Sequence, residues 1–217
     1  MLRVLRLGRT WWLAWWALLI AGVAQAALAM RVDRFPLDVR LTREWQGVDP
    51  NPLEPLLSAL NGLDTEARIA IGLAIVVWGF VARRHRFAAW FVVVPLTAQL
   101  LNGLLKEIVD RPRPSTALVR VAERADDSGF PSGHVMNSVI FFGFLFLVAG
   151  DLVPSRPLRI AVRAACAIII AFMGLARVET GAHWPSDVIG GYVFGALVLL
   201  PIVWVYRTLR PTDDAPS

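Results

Sequence analysis

Hydrophobic residues in this chain come in long blocks, and polar residues are concentrated in the stretches between them. The first block, WWLAWWALLIAGVAQAALAM at 11–30, holds no charge and matches the ~20 residues that a helix needs to cross a bilayer core. Further blocks lie at 67–82, 87–109, 134–150, 160–176 and 187–206. The shorter ones still reach across because flanking arginines can snorkel to the interface. Lipid offers a backbone no hydrogen bonds, so each block predicts a helix, kinked but not broken where Pro95 and Pro201 fall inside. The expected fold is all-α: a single domain, an integral membrane bundle of six transmembrane helices.

The 31–66 stretch, with Pro36, Pro50, Pro52 and Pro55, reads as an outer loop: an extended run followed by a short interfacial helix near 53–60. A cleaved leader is the rival reading of the first block, with Arg3, Arg6 and Arg9 before it and AQA at 24–26. The block is long for the apolar core of a leader, so it is read as a span. Arginines crowd the short loops of one side: Arg3, Arg6 and Arg9; RRHR at 83–86; Arg156, Arg159 and Arg163; Arg207 and Arg210. Cytoplasmic loops carry the excess of Lys and Arg. Both termini are therefore expected in the cytoplasm, with 207–217 as a tail, and the loops after the third and fifth spans on the outer face of the cell inner (plasma) membrane.

Composition agrees: 56% of the 217 residues are hydrophobic and nine are tryptophan, outside the range of an ordinary soluble domain. A net charge of +5 invites a nucleic-acid reading, but the basic residues are scattered in short clusters between apolar blocks, with no aromatic-interleaved patch. The bilayer is the expected partner and nucleic acid is not. Cys166, the one cysteine, says nothing about redox compartment, and the oligomeric state is unknown.

Chemistry gathers at the outer ends of the spans. KEIVDRPRP closes the third, FPSGH opens the fourth, and ARVETGAHWPSD joins the fifth to the sixth. Lys106 is the one lysine in a chain that otherwise uses arginine; taken alone it serves equally well as an interface anchor. Pro112 and Pro114 force the chain out of the helix and free Arg113 to turn back toward Lys106, although RPRP alone is an ordinary charged loop. Ser132 is placed as an N-cap, with the Gly133 and His134 amides among the unpaired N–H groups of a helix start that attracts anions. Gly133 also lets an oxygen approach the backbone; a capped helix with a surface histidine fits the same residues. His183 and Asp187, four apart, allow the carboxylate to accept Nδ1–H and leave Nε2 as a nucleophile, or Asp187 is merely a cap beside a surface histidine. These bland readings would have to hold independently, whereas one anion-binding pocket accounts for all of them.

Order and spacing carry a resemblance: Lys106, six residues, then Arg113 and Pro114; PSGH at 131–134; Arg177, five residues, His183, three residues, Asp187. The pattern resembles the tripartite signature of the type 2 phosphatidic acid phosphatase family, whose wider superfamily includes soluble acid phosphatases and vanadium haloperoxidases. It covers roughly residues 99–195. Ala176 stands where the family usually has serine, which removes one hydroxyl contact to phosphate. The resemblance implies a catalytic core of the acid phosphatase/haloperoxidase type. In it His183 attacks phosphorus to form a phosphohistidine, Asp187 orients the ring, and His134 protonates the leaving oxygen and then activates water. Lys106, Arg113 and Arg177, with Ser132 and the Gly133 amide, hold the equatorial oxygens. No cofactor and no metal are expected, since the motifs contain no carboxylate cluster of the kind that holds Mg²⁺.

The implied function is a membrane lipid phosphate phosphatase acting on a phosphomonoester or pyrophosphate lipid. Undecaprenyl pyrophosphate is favoured over phosphatidylglycerol phosphate, phosphatidic acid and lipid A phosphates. The alternatives are a lipid or sugar phosphotransferase on the same scaffold, or a non-catalytic protein that binds or transports lipid phosphates.

Overall fold

The computed structural model describes residues 9–49, 51–63, 65–82 and 84–209. Arg3, Arg6, Arg83 and residues 210–217 of the expected tail lie outside them, while 207–209 of that tail belong to the last helix. The described residues form helices and no strand: α1 (Arg9–Ala29), α2 (Asp38–Gln46), α3 (Glu54–Asn61), α4 (Thr65–Val81), α5 (His85–Val109), α6 (Gly133–Leu152), α7 (Arg156–Glu179) and α8 (Pro185–Leu209).

The long helices follow the apolar blocks. Among the described residues α1, α5, α6, α7 and α8 are long and apolar enough to cross a membrane. α4, at the expected second span, has 17 residues and rises about 25 Å, a little less than the ~30 Å hydrocarbon core. α7 starts earlier than the apolar block because Pro157 suits a first helical turn, and α8 starts at Pro185 for the same reason.

The 31–66 stretch departs from expectation. α3 falls where the interfacial helix is expected, but Leu57 and Leu60 are buried against Met173, Ala176 and Val178 of α7. α2 is an additional helix inside the run expected to be extended. In DVRLTREWQ, Asp38, Thr42 and Trp45 recur at helical spacing on one face, and α2 packs on α7 and α8. α2 and α3 thus form a two-helix cover on the end of the bundle.

α6 is the central helix, packed against α5, α7 and α8 and buried at Val135, Met136, Ile140, Phe144 and Val148. Its neighbours instead leave apolar stripes exposed: Ile69, Leu73, Val77 and Val81 on α4, and Leu96, Leu100, Leu104 and Ile108 on α5. Four-residue spacing makes each stripe one face of its helix, and an all-apolar outer face is what lipid contact requires. α6 and α8 pack tightly at glycine. A Cβ at Gly195 would meet Val139 Cβ at 2.7 Å and the Met136 carbonyl at 3.2 Å. Gly195→Val forces apart the two helices that carry the outer-end residues, and overpacking of this kind costs about 1–3 kcal/mol. Thermal unfolding in detergent checks this: the variant melts below the wild type, and an unchanged midpoint refutes the contact.

Candidate active site

Four helix termini, the ends of α5 and α7 and the starts of α6 and α8, meet with two loops at one end of the bundle. α5 ends at Asp110, whose backbone is left-handed with φ 43°, and the chain then runs through 111–132 to the start of α6. α7 ends in a turn at Gly181, where φ is +65° and a Cβ would lie 2.0 Å from the Arg120 carbonyl. Only glycine fits there, and the turn delivers Ala182 and His183 to the interior. The His183 and Ala182 amides both donate to the Arg177 carbonyl, at 3.3 and 3.2 Å.

His183 is 1% exposed. Its Nδ1 faces the Gly129 carbonyl at 2.8 Å, and Arg113 Nη1 faces Nε2 at 3.3 Å. A carbonyl only accepts and a guanidinium only donates, so the proton is on Nδ1 and the lone pair on Nε2. Burial holds the imidazole well below its ordinary titration range, and Arg113, Arg177 and Lys106 push the same way against the Gly129 carbonyl. The ring is neutral, with its free nitrogen among cations.

This corrects the expected His183–Asp187 pair. α8 begins only at Pro185, so His183 lies before the helix and the four-residue spacing does not stack the two side chains. Asp187 is at the third helical position, where a carboxylate reaches back over the helix start. Its Oδ2 accepts from the Trp184 amide at 2.9 Å, and its Oδ1 from Arg111 Nη1 at 2.5 Å. The imidazole is oriented by a backbone carbonyl, while Asp187 holds the turn that carries it.

The expected phosphate ligands are brought together. Arg113 donates from Nη1 to the Ala182 carbonyl at 2.9 Å and from Nε to the Asp127 carbonyl at 3.0 Å. The Asp127 carboxylate bridges Arg113 Nη2, at 2.5 Å, and Lys106 Nζ. Arg177, 1% exposed, donates to Glu123 at 2.6 Å and to Asn61 of α3 at 3.2 Å. Each cation of the candidate cradle thus has a carboxylate from the 111–132 loop. Burial raises the Asp127 carboxyl, but Lys106 and Arg113 outweigh it and leave it below its ordinary range. The Arg177 hydrogen bond lowers Glu123 against burial, and the charges of Arg177, His134 and Arg113 add to that. His134, the second residue of α6, is thereby in the same electrostatic neighbourhood.

Ser132 occupies the N-cap position of α6, yet its hydroxyl makes no capping bond. Ser132 Oγ and Arg177 Nε are both buried with no hydrogen-bond partner among the described residues. A buried polar atom left unpaired is costly, and both atoms belong to residues expected to hold phosphate. Gly133 lacks a side chain for a reason the sequence does not reveal: a Cβ there would meet Asn102 Oδ1 of α5 at 2.8 Å.

Sequence reasoning missed Gly129, Asp127 and Glu123, and also Arg111, which lies inside the RPRP stretch. Asp38 carried one weak signal, as the opening residue of an amphipathic nonamer. Among the described residues no group of three or more His, Cys, Asp or Glu is gathered so as to hold a metal ion.

The structure is similar to a crystal structure titled the first transmembrane PAP2 type phosphatidylglycerolphosphate phosphatase from Bacillus subtilis. The TM-score is 0.74 at 22% identity, over 90% of this chain and 97% of that one, a likeness of fold. The sequence is 33% identical over 106 residues to phosphatidylglycerophosphatase B of Bacillus subtilis (strain 168), covering 47% of this chain and 49% of the relative. It is 34% identical over 125 residues to lipid A 1-phosphatase of Rhizobium etli, covering 54% and 50%. The chain spans about half the length of these curated relatives. Residues 87–211, more than half of the chain and including every candidate site residue, match the PAP2 superfamily, and the chain belongs to that superfamily.

Proposed function

We propose that this protein is an integral membrane lipid phosphate phosphatase that removes a phosphoryl group from a phosphomonoester or pyrophosphate lipid through a phosphohistidine at His183. The observation that carries this is the neutral, buried imidazole of His183 with Nε2 facing Arg113 and with the charges of Lys106 and Arg177 close by. A phosphoryl group seated on those cations presents phosphorus to the Nε2 lone pair of His183. Lys106, Arg113 and Arg177, with the spare Ser132 hydroxyl and the Gly133 amide, take up the charge that spreads over the equatorial oxygens. His134 is the candidate general acid for the leaving oxygen and then the base for water. Asp187 serves as the brace of the His183 turn. With fixed cations in that role the reaction needs no metal, and activity is expected to survive EDTA.

Both named relatives act, by their names, on lipid phosphates, and the structure offers an amphiphile a matching environment. A groove of about 340 Å³ between α4 and α5 is lined by apolar residues such as Leu73, Val76, Phe91 and Leu96, with Asn137 of α6 in its wall. Asn137 lies one turn after His134. A lipid tail in the groove keeps the phosphate at the helix ends. The arginine-rich short loops put that end on the outer face of a plasma membrane, where undecaprenyl pyrophosphate is the first candidate substrate.

Rapid alkaline quench of the wild type with labelled substrate should trap a base-stable, acid-labile phosphoenzyme, and His183→Ala should show neither phosphoenzyme nor phosphate release. Persisting turnover in His183→Ala ends the proposal. Because His183 is held neutral well below the ordinary histidine value of ~6.5, phosphoenzyme formation should continue at pH 6 at nearly its rate at pH 7.5. A loss with midpoint near 6.5 contradicts the assigned environment. Asp127 is half-exposed, and such ion pairs are worth ~0.2–1 kcal/mol, so substrate can displace it. Asp127→Asn should tighten inhibition by orthovanadate by about 2–5-fold; weaker inhibition shows that Asp127 builds the cradle rather than competing for it.

A further inference from the structure

Arg111 and Asp38 have no place in the chemistry above, yet both are as deeply buried as the candidate nucleophile. The Arg111 side chain is 0% exposed and that of Asp38 is 2%. The guanidinium is clamped between two carboxylates, with Nη2 on Asp38 Oδ2 at 2.9 Å and Nη1 on Asp187 Oδ1 at 2.5 Å, and its face lies 4.8 Å from the Phe35 ring centroid. Asp38 is saturated: Oδ2 also accepts from the Phe35 amide at 2.7 Å and the Ser186 hydroxyl at 2.7 Å, and Oδ1 accepts from the Ser186 amide at 3.0 Å. The Ser186 amide is one of the unpaired donors of the first turn of α8. Asp38 therefore caps α8 from outside, and a negative charge at a helix start is also favoured by the helix dipole.

That first turn is anchored to the imidazole from both sides. On one side Asp187 holds the amide of Trp184, the residue after His183. On the other, the Arg111 carbonyl accepts the Gly129 amide at 2.7 Å, and the Gly129 carbonyl is the Nδ1 partner of His183. One residue, Arg111, thus sets the acceptor of the ring through its backbone and the turn bearing the ring through its side chain. Asp38 fixes both Arg111 and Ser186.

We propose that Asp38, at the start of α2 and outside the stretch 87–211 that matches the superfamily, is a positioning residue for the His183 nucleophile, acting through Arg111 and Ser186. The inference rests on His183 being the nucleophile. It also explains why the 31–66 segment is folded onto the bundle end, since the first helix of that segment supplies the carboxylate that fixes the angle at which Nε2 meets phosphorus. Phosphate binding by Lys106, Arg113 and Arg177 does not run through Asp38, so capture of an anion and in-line attack are separable.

The test uses the full chain purified in detergent, with Asp38→Asn, Ser186→Ala and His183→Ala beside the wild type. Three quantities are measured: kcat, the orthovanadate inhibition constant or dissociation constant, and the pre-steady-state rate of phosphoenzyme formation. A displacement of about 1 Å in an attacking atom lowers a rate by up to about 10²-fold. Asp38→Asn is expected to lower kcat and phosphoenzyme formation by about 10–100-fold with vanadate affinity within about twofold of the wild type. Ser186→Ala keeps both ion pairs and should show a smaller loss of the same kind, so it decides the matter if Asp38→Asn yields no vanadate-binding protein. A merely structural role predicts fewer vanadate-binding molecules, each with wild-type kcat, and that result overturns the proposal. So does a parallel loss of kcat and vanadate affinity. If His183→Ala still turns over, the nucleophile reading itself fails, which is a separate outcome from wild-type kcat in Asp38→Asn.

Discussion

A guanidinium with no access to water must find its counter-charges inside the protein, and the position of Arg111 is where this fold meets that constraint. Its two carboxylates come from chain segments about 150 residues apart, α2 and the start of α8. Neither segment can shift without leaving a charge buried and unpaired, which is among the costliest defects a folded chain can carry. α2 and the end of the bundle are therefore locked as one unit. A bilayer cannot supply this kind of registration, because apolar faces slide in lipid with little preference. Polar locks at the helix ends set what the apolar stripes leave open.

The same reasoning applies with opposite sign a few residues away. Lys106, Arg113 and Arg177 crowd around a neutral imidazole and repel one another, and the described structure balances them with Asp127 and Glu123 from the intervening loop. The two sets of pairs differ in exposure. Asp38 and Asp187 are sealed, whereas Asp127 and Glu123 are 53% and 43% exposed. Sealed carboxylates hold architecture, and half-exposed ones can yield to a better anion. The proposed binding of phosphate requires cations that are ready but not already satisfied by something immovable, and half-exposed partners from the 111–132 loop fit that requirement.

How much of this the sequence disclosed follows from which interactions leave a local trace. The long helices were legible because lipid forces each segment to satisfy its own backbone, so a helix is written wholly within its block. Lys106, Arg113, Ser132, Arg177 and His183 were legible because their side chains are chemically distinctive and their spacing within each motif is short. The Nδ1 partner was not. It is the carbonyl of Gly129, and a backbone carbonyl has no identity in a sequence, so the nearby carboxylate of Asp187 was the natural but incorrect choice. Asp38 was hidden for another reason: a nine-residue helix flanked by prolines looks like a loop, and its buried face is polar because it faces a charge.

This division bears on how such a site meets a lipid. The candidate site residues sit on helix ends and turns, not at mid-span, which suits the proposed function because a phosphate dragged into hydrocarbon would lose its hydration with nothing near to replace it. A tail in the proposed groove beside α4 and α5 would meet a mostly apolar wall, with Arg68, Gln99 and Asn137 as its polar members. On the proposed function, an amphiphile would need no lifting from the membrane, because its head could reach the cations along the interface. On that reading the protein must supply not affinity for the tail but a fixed line between phosphorus and one nitrogen. Rigidity is then needed at the interface, where the cover formed by α2 and α3 lies and where buried charge, not apolar packing, does the fixing.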